Sequence, residues 1–169
     1  MKRMITIIIA INIIALIFLS IKGNEVQTIT TEIDISAPPE KVWKIITDID
    51  QWHEWSPIIN KSSGTSSVGA KLDITMMGKE PGSNGPTYKP TITHLEENKN
   101  FTWSAHMMAG FIFTNGKILE LEATTNGTKL THSETFKGLL APVFCGQMEK
   151  SVPAMLDKMN KALKELAEK

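Results

Sequence analysis

Arginine is absent from this chain after Arg3, and the chain holds a single cysteine, Cys145. Without arginine, nearly the whole chain lacks the planar side chain that grips phosphates and carboxylates through paired hydrogen bonds. One cysteine cannot close an intramolecular disulfide, so a disulfide-stapled fold is excluded. A solitary cysteine most often serves as a small buried apolar residue.

An excess of either charge is also missing, since the 169 residues include 18 Lys+Arg and 18 Asp+Glu. The charges are unevenly placed, because Lys2, Arg3 and Lys22 all precede the first acidic residue, Glu25. The rest of the chain therefore has 15 basic and 18 acidic residues, a formal charge of −3. Binding to a nucleic-acid backbone requires clustered basic residues, so we expect no nucleic-acid partner.

The chain does contain one long apolar run, residues 4–21, with only three polar members. As a helix it would span about 27 Å, close to the thickness of the hydrocarbon core of a bilayer. Residues 20–25 offer no small-residue cleavage site. We therefore predict that residues 1–24 are a membrane anchor, a single transmembrane helix; a cleaved signal segment and a buried helix are the alternatives. The preceding basic residues place the domain, residues 25–169, outside the cytoplasm at the cell membrane.

Beyond the anchor, the sequence alternates between strand-like and helix-like patterns. Residues 26–35 alternate apolar and polar side chains, which is typical of a half-buried strand. Pro38 and Pro39 suit the first turn of a helix whose Val42 and Ile46 share one face. Asn126-Gly127 predicts a hairpin turn. Strands are predicted at residues 71–77, 88–95, 101–108, 112–124 and 128–136, with a turn at 62–67 and a loop at 80–86.

From Pro142 onward, apolar residues recur at steps of three and four, which predicts a long C-terminal helix. Pro153 falls inside this pattern. Proline removes a backbone donor and clashes with the preceding turn, so we expect it to kink or interrupt the helix.

Three segments combine with this order of elements to suggest a family. They are residues 37–43 (APPEKVW), 52–57 (WHEWSP) and 126–134 (NGTKLTHSE). The chain resembles the SRPBCC superfamily of START/Bet v 1-like helix-grip domains, and within it the bacterial polyketide cyclase/dehydrase-like branch, over about residues 28–167. The resemblance implies an α+β helix-grip fold, with a seven-stranded antiparallel sheet wrapped around a long C-terminal helix. It also implies a hydrophobic cavity.

The functions of this superfamily are diverse, and fold alone does not specify function. We expect a membrane-tethered domain that binds a small hydrophobic molecule or lipid, and a binding protein rather than an enzyme. One alternative is a cyclase/dehydratase-type or hydrolytic enzyme that uses His132 and Glu134. Another is a protein-interaction domain that assists a chaperone, which would have a filled cavity and an exposed apolar patch.

His132 and Glu134 lie two residues apart on a predicted strand, so their side chains share a face. If that face is inward, they could hold a hydroxyl or carbonyl of a ligand, or act as a general base and its orienting partner. A satisfied hydrogen-bonded pair at the rim of the sheet is the alternative. His94 would join them if the sheet curls enough. No HxxxH or CxxC spacing is present, so we expect no metal and no cofactor.

Methionine is abundant, with nine residues. Its flexible, polarisable side chain suits adaptable apolar surfaces, although ordinary core packing is the alternative. Lys117 is in phase with Leu119 and Leu121. It could meet a ligand carboxylate near the mouth of the cavity, but we interpret it as a surface lysine whose stem packs on apolar neighbours. The residues expected to line the space between sheet and helix are Met76, Trp103, Met107, Met148, Met155 and Met159.

Overall fold

The computed structural model describes residues 2–23, 25–80, 82–107 and 109–169. The predictions at Met1, Asn24, Pro81 and Met108, and for the side chain of Met107, lie outside the described parts.

The described residues form four α-helices, eight strands and a short 3-10 turn at Ile49–Gln51. The helices are α1 (Lys2–Gly23), α2 (Pro39–Thr47), α3 (Trp52–Trp55) and α4 (Ala141–Ala167). The strands are β1 (Gln27–Ile35), β2 (Ile59–Ser63), β3 (Asp73–Met77), β4 (Asn84–Tyr88), β5 (Thr91–Glu96), β6 (Asn100–Met107), β7 (Phe113–Thr124) and β8 (Gly127–Lys137).

The strands form two antiparallel sheets, one in the order β1-β8-β7-β6-β5 and one in the order β2-β3-β4. The sheets meet where Lys71 and Thr91 form an isolated bridge and the Leu72 amide donates to the Pro90 carbonyl at 2.9 Å. The predicted α+β fold with a long C-terminal helix is confirmed. The prediction of a single seven-stranded sheet is wrong, because β2 occupies part of the predicted 62–67 turn and β4 begins inside the predicted 80–86 loop.

Helix α2 follows the prolines as predicted, with Val42 and Ile46 buried one turn apart. The main apolar core lies beneath it. Trp52 is buried, and its indole N–H donates to the Ile46 carbonyl at 2.9 Å. Its ring meets Phe101 edge to face, with centroids 5.8 Å apart. Trp52 therefore belongs to the core and fixes the turn after α2 to the sheet.

Helix α4 packs along β1 and β8 and runs without interruption through Pro153. The predicted interruption at Pro153 is therefore not found. Val152, Leu156, Met159 and Leu163 form a buried stripe on both sides of the proline. Burial of such a stripe, rather than intrinsic helix propensity, supplies most of the stability of helices in proteins. This packing is the physical reason why the helix accommodates a cost of about 3 kcal/mol for an internal proline.

Helix α1 occupies the predicted position, and many of its apolar side chains are exposed. Its last residue meets the domain, because the Gly138 amide donates to the Gly23 carbonyl at 2.8 Å. In the described ranges, no helix has the length and apolarity that a membrane span requires. The predicted transmembrane helix is therefore not supported.

Candidate functional site

A partly open cavity of about 210 Å³ lies between the two sheets and α4. Side chains on one face of β7 and β8 reach it, because alternate residues of a strand point the same way. Its apolar lining consists of Trp52, Ile58, Ile59, Ile74, Met76, Trp103, Phe113, Phe136, Met148, Met155 and Met159. Its polar lining consists of Tyr88, Asn115, Lys117 and Glu134.

Lys117 and Glu134 stand directly opposite each other in the antiparallel pairing of β7 with β8. The lysine Nζ lies 3.1 Å from Glu134 Oε1, and each side chain is only 7% exposed. The same Nζ lies 5.9 Å from the centre of the Trp103 ring, within the range of a cation–π contact. The apolar side chains therefore form the wall of the cavity. Lys117 and Glu134, whose opposite charges neutralise each other, form what we call its floor.

His132 lies behind this ion pair and is completely buried. Lys117 Nζ is 3.2 Å from His132 Nε2, and His132 Nδ1 is 2.7 Å from Asn160 Oδ1. Because an ammonium group can only donate, Nε2 is the acceptor, and the ring proton sits on Nδ1 and is donated to Asn160. Asn160 Nδ2 in turn donates to Thr31 Oγ1 at 2.9 Å. This network joins α4 to β1, β7 and β8.

Burial lowers the pKa of His132 well below its usual value, and the positive charge of Lys117 lowers it further. The imidazole is therefore neutral at physiological pH, which matches the hydrogen-bond directions. Both ring nitrogens are engaged by protein groups, so this side chain has no free nitrogen for a substrate proton.

Tyr88 contributes a phenol to the same cavity. Burial raises its pKa, and the nearby negative charge of Glu134 raises it further. The phenol therefore keeps its proton and can act as a hydrogen-bond donor toward the cavity.

The structure brings together most of the predicted ligand-binding residues. His132 sits next to the cavity behind Lys117, whereas His94 is exposed and lies apart from this arrangement. A register shift between Ile92 and His94 in the pairing of β5 with β6 changes which face His94 occupies. Whether these residues bind a ligand stays a prediction. Those that line the cavity are Met76, Trp103, Glu134, Met148, Met155 and Met159.

Sequence reasoning missed the burial of Lys117 and the role of Asn160. The interpretation of Lys117 as a surface lysine is wrong, because its residue exposure is only 6%. No local pattern shows that its partner lies on the next strand. Asn160 did carry a signal, because it lies four residues after Leu156 and so continues the apolar stripe of α4. A polar residue at such a position requires a buried hydrogen-bond partner.

One donor in the cavity wall is unsatisfied. The indole Nε1 of Trp103 is buried and has no hydrogen-bond partner among the described residues. Leaving a buried donor unpaired costs about 1–3 kcal/mol. In the same described ranges, no cluster of three or more His, Cys, Asp or Glu side chains could hold a metal ion.

Three exposed apolar side chains lie near the start of α4; we call them the apolar patch. Val143 and Phe144 belong to its first turn, and Phe111 lies in the loop before β7. The Phe111 carbonyl accepts a hydrogen bond from the Leu139 amide at 3.0 Å, beside the contact between Gly138 and the end of α1. The ring of Phe144 meets that of Phe113 edge to face, with centroids 6.1 Å apart. Because Phe113 lines the cavity, the patch borders both α1 and the cavity wall.

Residues 26–168 match the family model described as polyketide cyclase / dehydrase and lipid transport. That match covers most of the chain, and the chain belongs to this family. It agrees with the two-layer arrangement of sheet and long helix around an apolar cavity. No curated protein matches the chain.

Several solved structures share the fold. The di-domain ARO/CYC StfQ from the steffimycin biosynthetic pathway superposes with a TM-score of 0.68 at 13% identity, covering 85% of this chain and 51% of StfQ. This chain thus spans about half of that protein. SA2116 of Staphylococcus aureus, a protein of unknown function, superposes with a TM-score of 0.68 at 14% identity. The match covers 86% of this chain and 95% of SA2116. Norcoclaurine synthase of Thalictrum flavum superposes with a TM-score of 0.64 at 15% identity. The match covers 85% of this chain and 94% of the synthase.

Proposed function

We propose that the domain binds a small apolar molecule or lipid in the cavity between the sheets and α4. The observation that carries this proposal is a partly open space of about 210 Å³ whose lining is mostly apolar. A cavity of about 150 Å³ with such a lining is large enough to hold benzene, so this space suits a molecule somewhat larger. The family description, which includes lipid transport, supports the same proposal.

The lining also suits ligands of more than one shape. Met148, Met155 and Met159 come from α4, and Met76 comes from β3. Methionine side chains rearrange at low cost because they are unbranched. A chaperone-assisting domain would combine an exposed apolar patch with a filled cavity. The apolar patch is present, but the cavity is open, which favours ligand binding.

The proposal is tested with two neighbouring residues of β3. Met76 lines the cavity, whereas Met77 is 41% exposed and lies outside the lining. Met76→Trp fills the space with a larger ring, and Met77→Trp makes the same change outside it. Protein purified without detergent exchange is extracted with organic solvent, and the extract is measured by mass spectrometry.

We expect a stoichiometric apolar compound from the unmodified protein and from Met77→Trp, and strong depletion from Met76→Trp. Equal amounts of ligand from all three proteins would show that the compound is held elsewhere. An empty extract, together with failure to take up any added apolar compound, would overturn the proposal.

We further propose that α1 attaches the domain to a lipid bilayer. Support comes from the exposure of its large apolar side chains, such as Met4, Ile8 and Ile14, which are 54–66% exposed. A helix that is apolar all round is normally buried in protein or in lipid. The apolar patch borders the same end of α1 and would face the same lipid surface. The single-pass topology with an extracytoplasmic domain remains a prediction from the sequence.

Attachment is tested by flotation of the full chain with phosphatidylcholine/phosphatidylglycerol vesicles. The unmodified protein should float with the vesicles, and Ile8→Lys/Ile11→Lys should remain in the dense fraction. Val68→Lys is the control, because Val68 is 63% exposed on the loop between β2 and β3 and belongs neither to α1 nor to the apolar patch. Recovery of the unmodified protein in the dense fraction would contradict attachment.

An enzyme of the cyclase/dehydratase or hydrolase class is the second candidate. The observation in its favour is the presence of Lys117 and Glu134, a potential acid and base, in the apolar cavity. His132, the base first considered, is bonded at both nitrogens, so Glu134 is the better candidate. Turnover of a bound compound that is lost in Glu134→Gln, with binding retained, would establish catalysis.

A further inference from the structure

We infer that the ligand is a neutral apolar molecule with one hydroxyl group, and that the Lys117–Glu134 pair recognises this hydroxyl. This inference rests on the proposed ligand binding and names the chemical class of the ligand. It depends on the hydrogen-bond donors and acceptors of Lys117 and Glu134 that their contacts within the protein do not use. Both line the cavity, and both belong to strands whose pairing fixes them opposite each other.

Lys117 retains one donor. An ammonium group has three N–H bonds, and two of them are directed to Glu134 Oε1 and His132 Nε2. The third can reach a ligand oxygen. The Glu134 carboxylate has about four acceptor positions, so its bond to Lys117 leaves acceptor capacity as well. The floor of the cavity thus offers one donor and one acceptor side by side.

A hydroxyl group is the smallest group that satisfies both, because it accepts one hydrogen bond and donates another. A ketone could accept from Lys117 but would leave the remaining acceptor capacity of Glu134 unused. A carboxylate would be repelled by Glu134, since Lys117 is already neutralised by its partner. An amine would be repelled by Lys117. A ligand with no polar group would displace water from the ion pair and would form no hydrogen bonds in its place.

The side chains beside the Lys117–Glu134 pair support the same class of ligand. Trp103 packs its ring over Lys117 Nζ, and Phe113 and Phe136 lie next to Asn115 on the same sheet face. Aromatic and aliphatic walls favour an apolar skeleton, preferably with rings. The two charged groups lie together at the floor, so the hydroxyl end of the ligand would lie there and the remainder would be apolar.

Three probes with one skeleton test the inference: naphthalene, 2-naphthol and 2-naphthoate. Their binding to the full chain in detergent micelles is measured by equilibrium dialysis against identical micelles without protein. We expect 2-naphthol to bind about tenfold more tightly than naphthalene, as one charge-assisted hydrogen bond provides. We expect 2-naphthoate to bind more weakly than 2-naphthol. In Lys117→Met/Glu134→Leu the preference for 2-naphthol over naphthalene should disappear.

The outcomes separate this inference from the proposed function. Equal binding of naphthalene and 2-naphthol by the unmodified protein would overturn the hydroxyl assignment and leave apolar binding intact. Tightest binding of 2-naphthoate would overturn it in favour of an anion site. Binding of none of the three would count against the cavity as a ligand site altogether. These comparisons need only the unmodified protein, so they hold even if the double variant does not fold.

Discussion

Lys117 and Glu134 form an ion pair across neighbouring strands, with 3.1 Å between Nζ and Oε1 and with 93% of each side chain removed from solvent. Removing one partner from such a pair leaves an uncompensated buried charge, which costs about 3–5 kcal/mol. Replacing both with apolar side chains of similar size is often close to neutral. The pair therefore predicts strong non-additivity between two substitutions.

We expect Glu134→Leu alone to lower the free energy of unfolding by about 3 kcal/mol or more. We expect Lys117→Met/Glu134→Leu to be more stable than Glu134→Leu. Urea unfolding followed by tryptophan fluorescence measures both. If the double variant is less stable than the unmodified protein by the sum of the losses in Lys117→Met and Glu134→Leu, the two charges are not coupled.

Stability should fall on acidification through the titration of His132. Its pKa is lowered in the folded protein, whereas in the unfolded chain it is about 6.5. The unfolded state therefore binds more protons below pH 6.5, and the stabilising contribution, complete above that pH, is lost as the pH falls. For one such group the free energy of unfolding should decrease by about 1.4 kcal/mol between pH 7.5 and 5.5.

The assignment to His132 is checked with two variants. His132→Leu should be less stable at pH 7.5 but should lack this part of the pH dependence. His106→Gln should retain it, because His106 is exposed and bonds to Thr114 away from the cavity. An unchanged pH profile in His132→Leu would assign the dependence to other groups.

Gly127 should tolerate no side chain. The turn between β7 and β8 consists of Thr125 and Asn126, and Gly127 follows it at a φ of +144°. A Cβ at this position would overlap the carbonyl oxygen of Ile35. We expect Gly127→Ala to lower the free energy of unfolding by about 2 kcal/mol or more, from backbone strain and displacement of β1. Thermal unfolding measures the loss.

Gly146 provides the opposite case. It lies within α4, and a Cβ there would meet no atom within 4 Å among the described residues. Alanine has a higher helix propensity than glycine by about 1 kcal/mol. Gly146→Ala should therefore raise the free energy of unfolding by about 0.5–1 kcal/mol. A loss of stability would show that this part of α4 must depart from regular helical geometry.

The sequence carried enough to predict the elements that depend on local patterns. The period of two in β8 predicted that His132 and Glu134 share a face, and both are buried. The period of three and four in α4 predicted the long helix. These features could be predicted because each residue reports its own environment through its neighbours in the chain.

The features that depend on partners distant in sequence could not be predicted in this way. Strand β2, INKSS, has little apolar alternation and is a strand because it pairs with β3. The buried state of Lys117 depends on Glu134, 17 positions away in the sequence. The exposure of His94 depends on a register shift that no residue type signals. Pairing between strands decided each of these cases.

The cross-strand position of Lys117 and Glu134 separates two properties of the cavity. The polarity of its floor is set by the register of β7 with β8, which is held by eleven paired positions from Thr114↔Lys137 to Thr124↔Gly127. Three methionines of its apolar wall lie on α4, which forms no part of that register. Substitutions at Met148, Met155 or Met159 can therefore retune which skeletons fit while the chemistry at the floor stays the same. The fold thus places an adjustable part of the wall, on α4, in a different element from the charged floor, so that part can vary while the floor is kept.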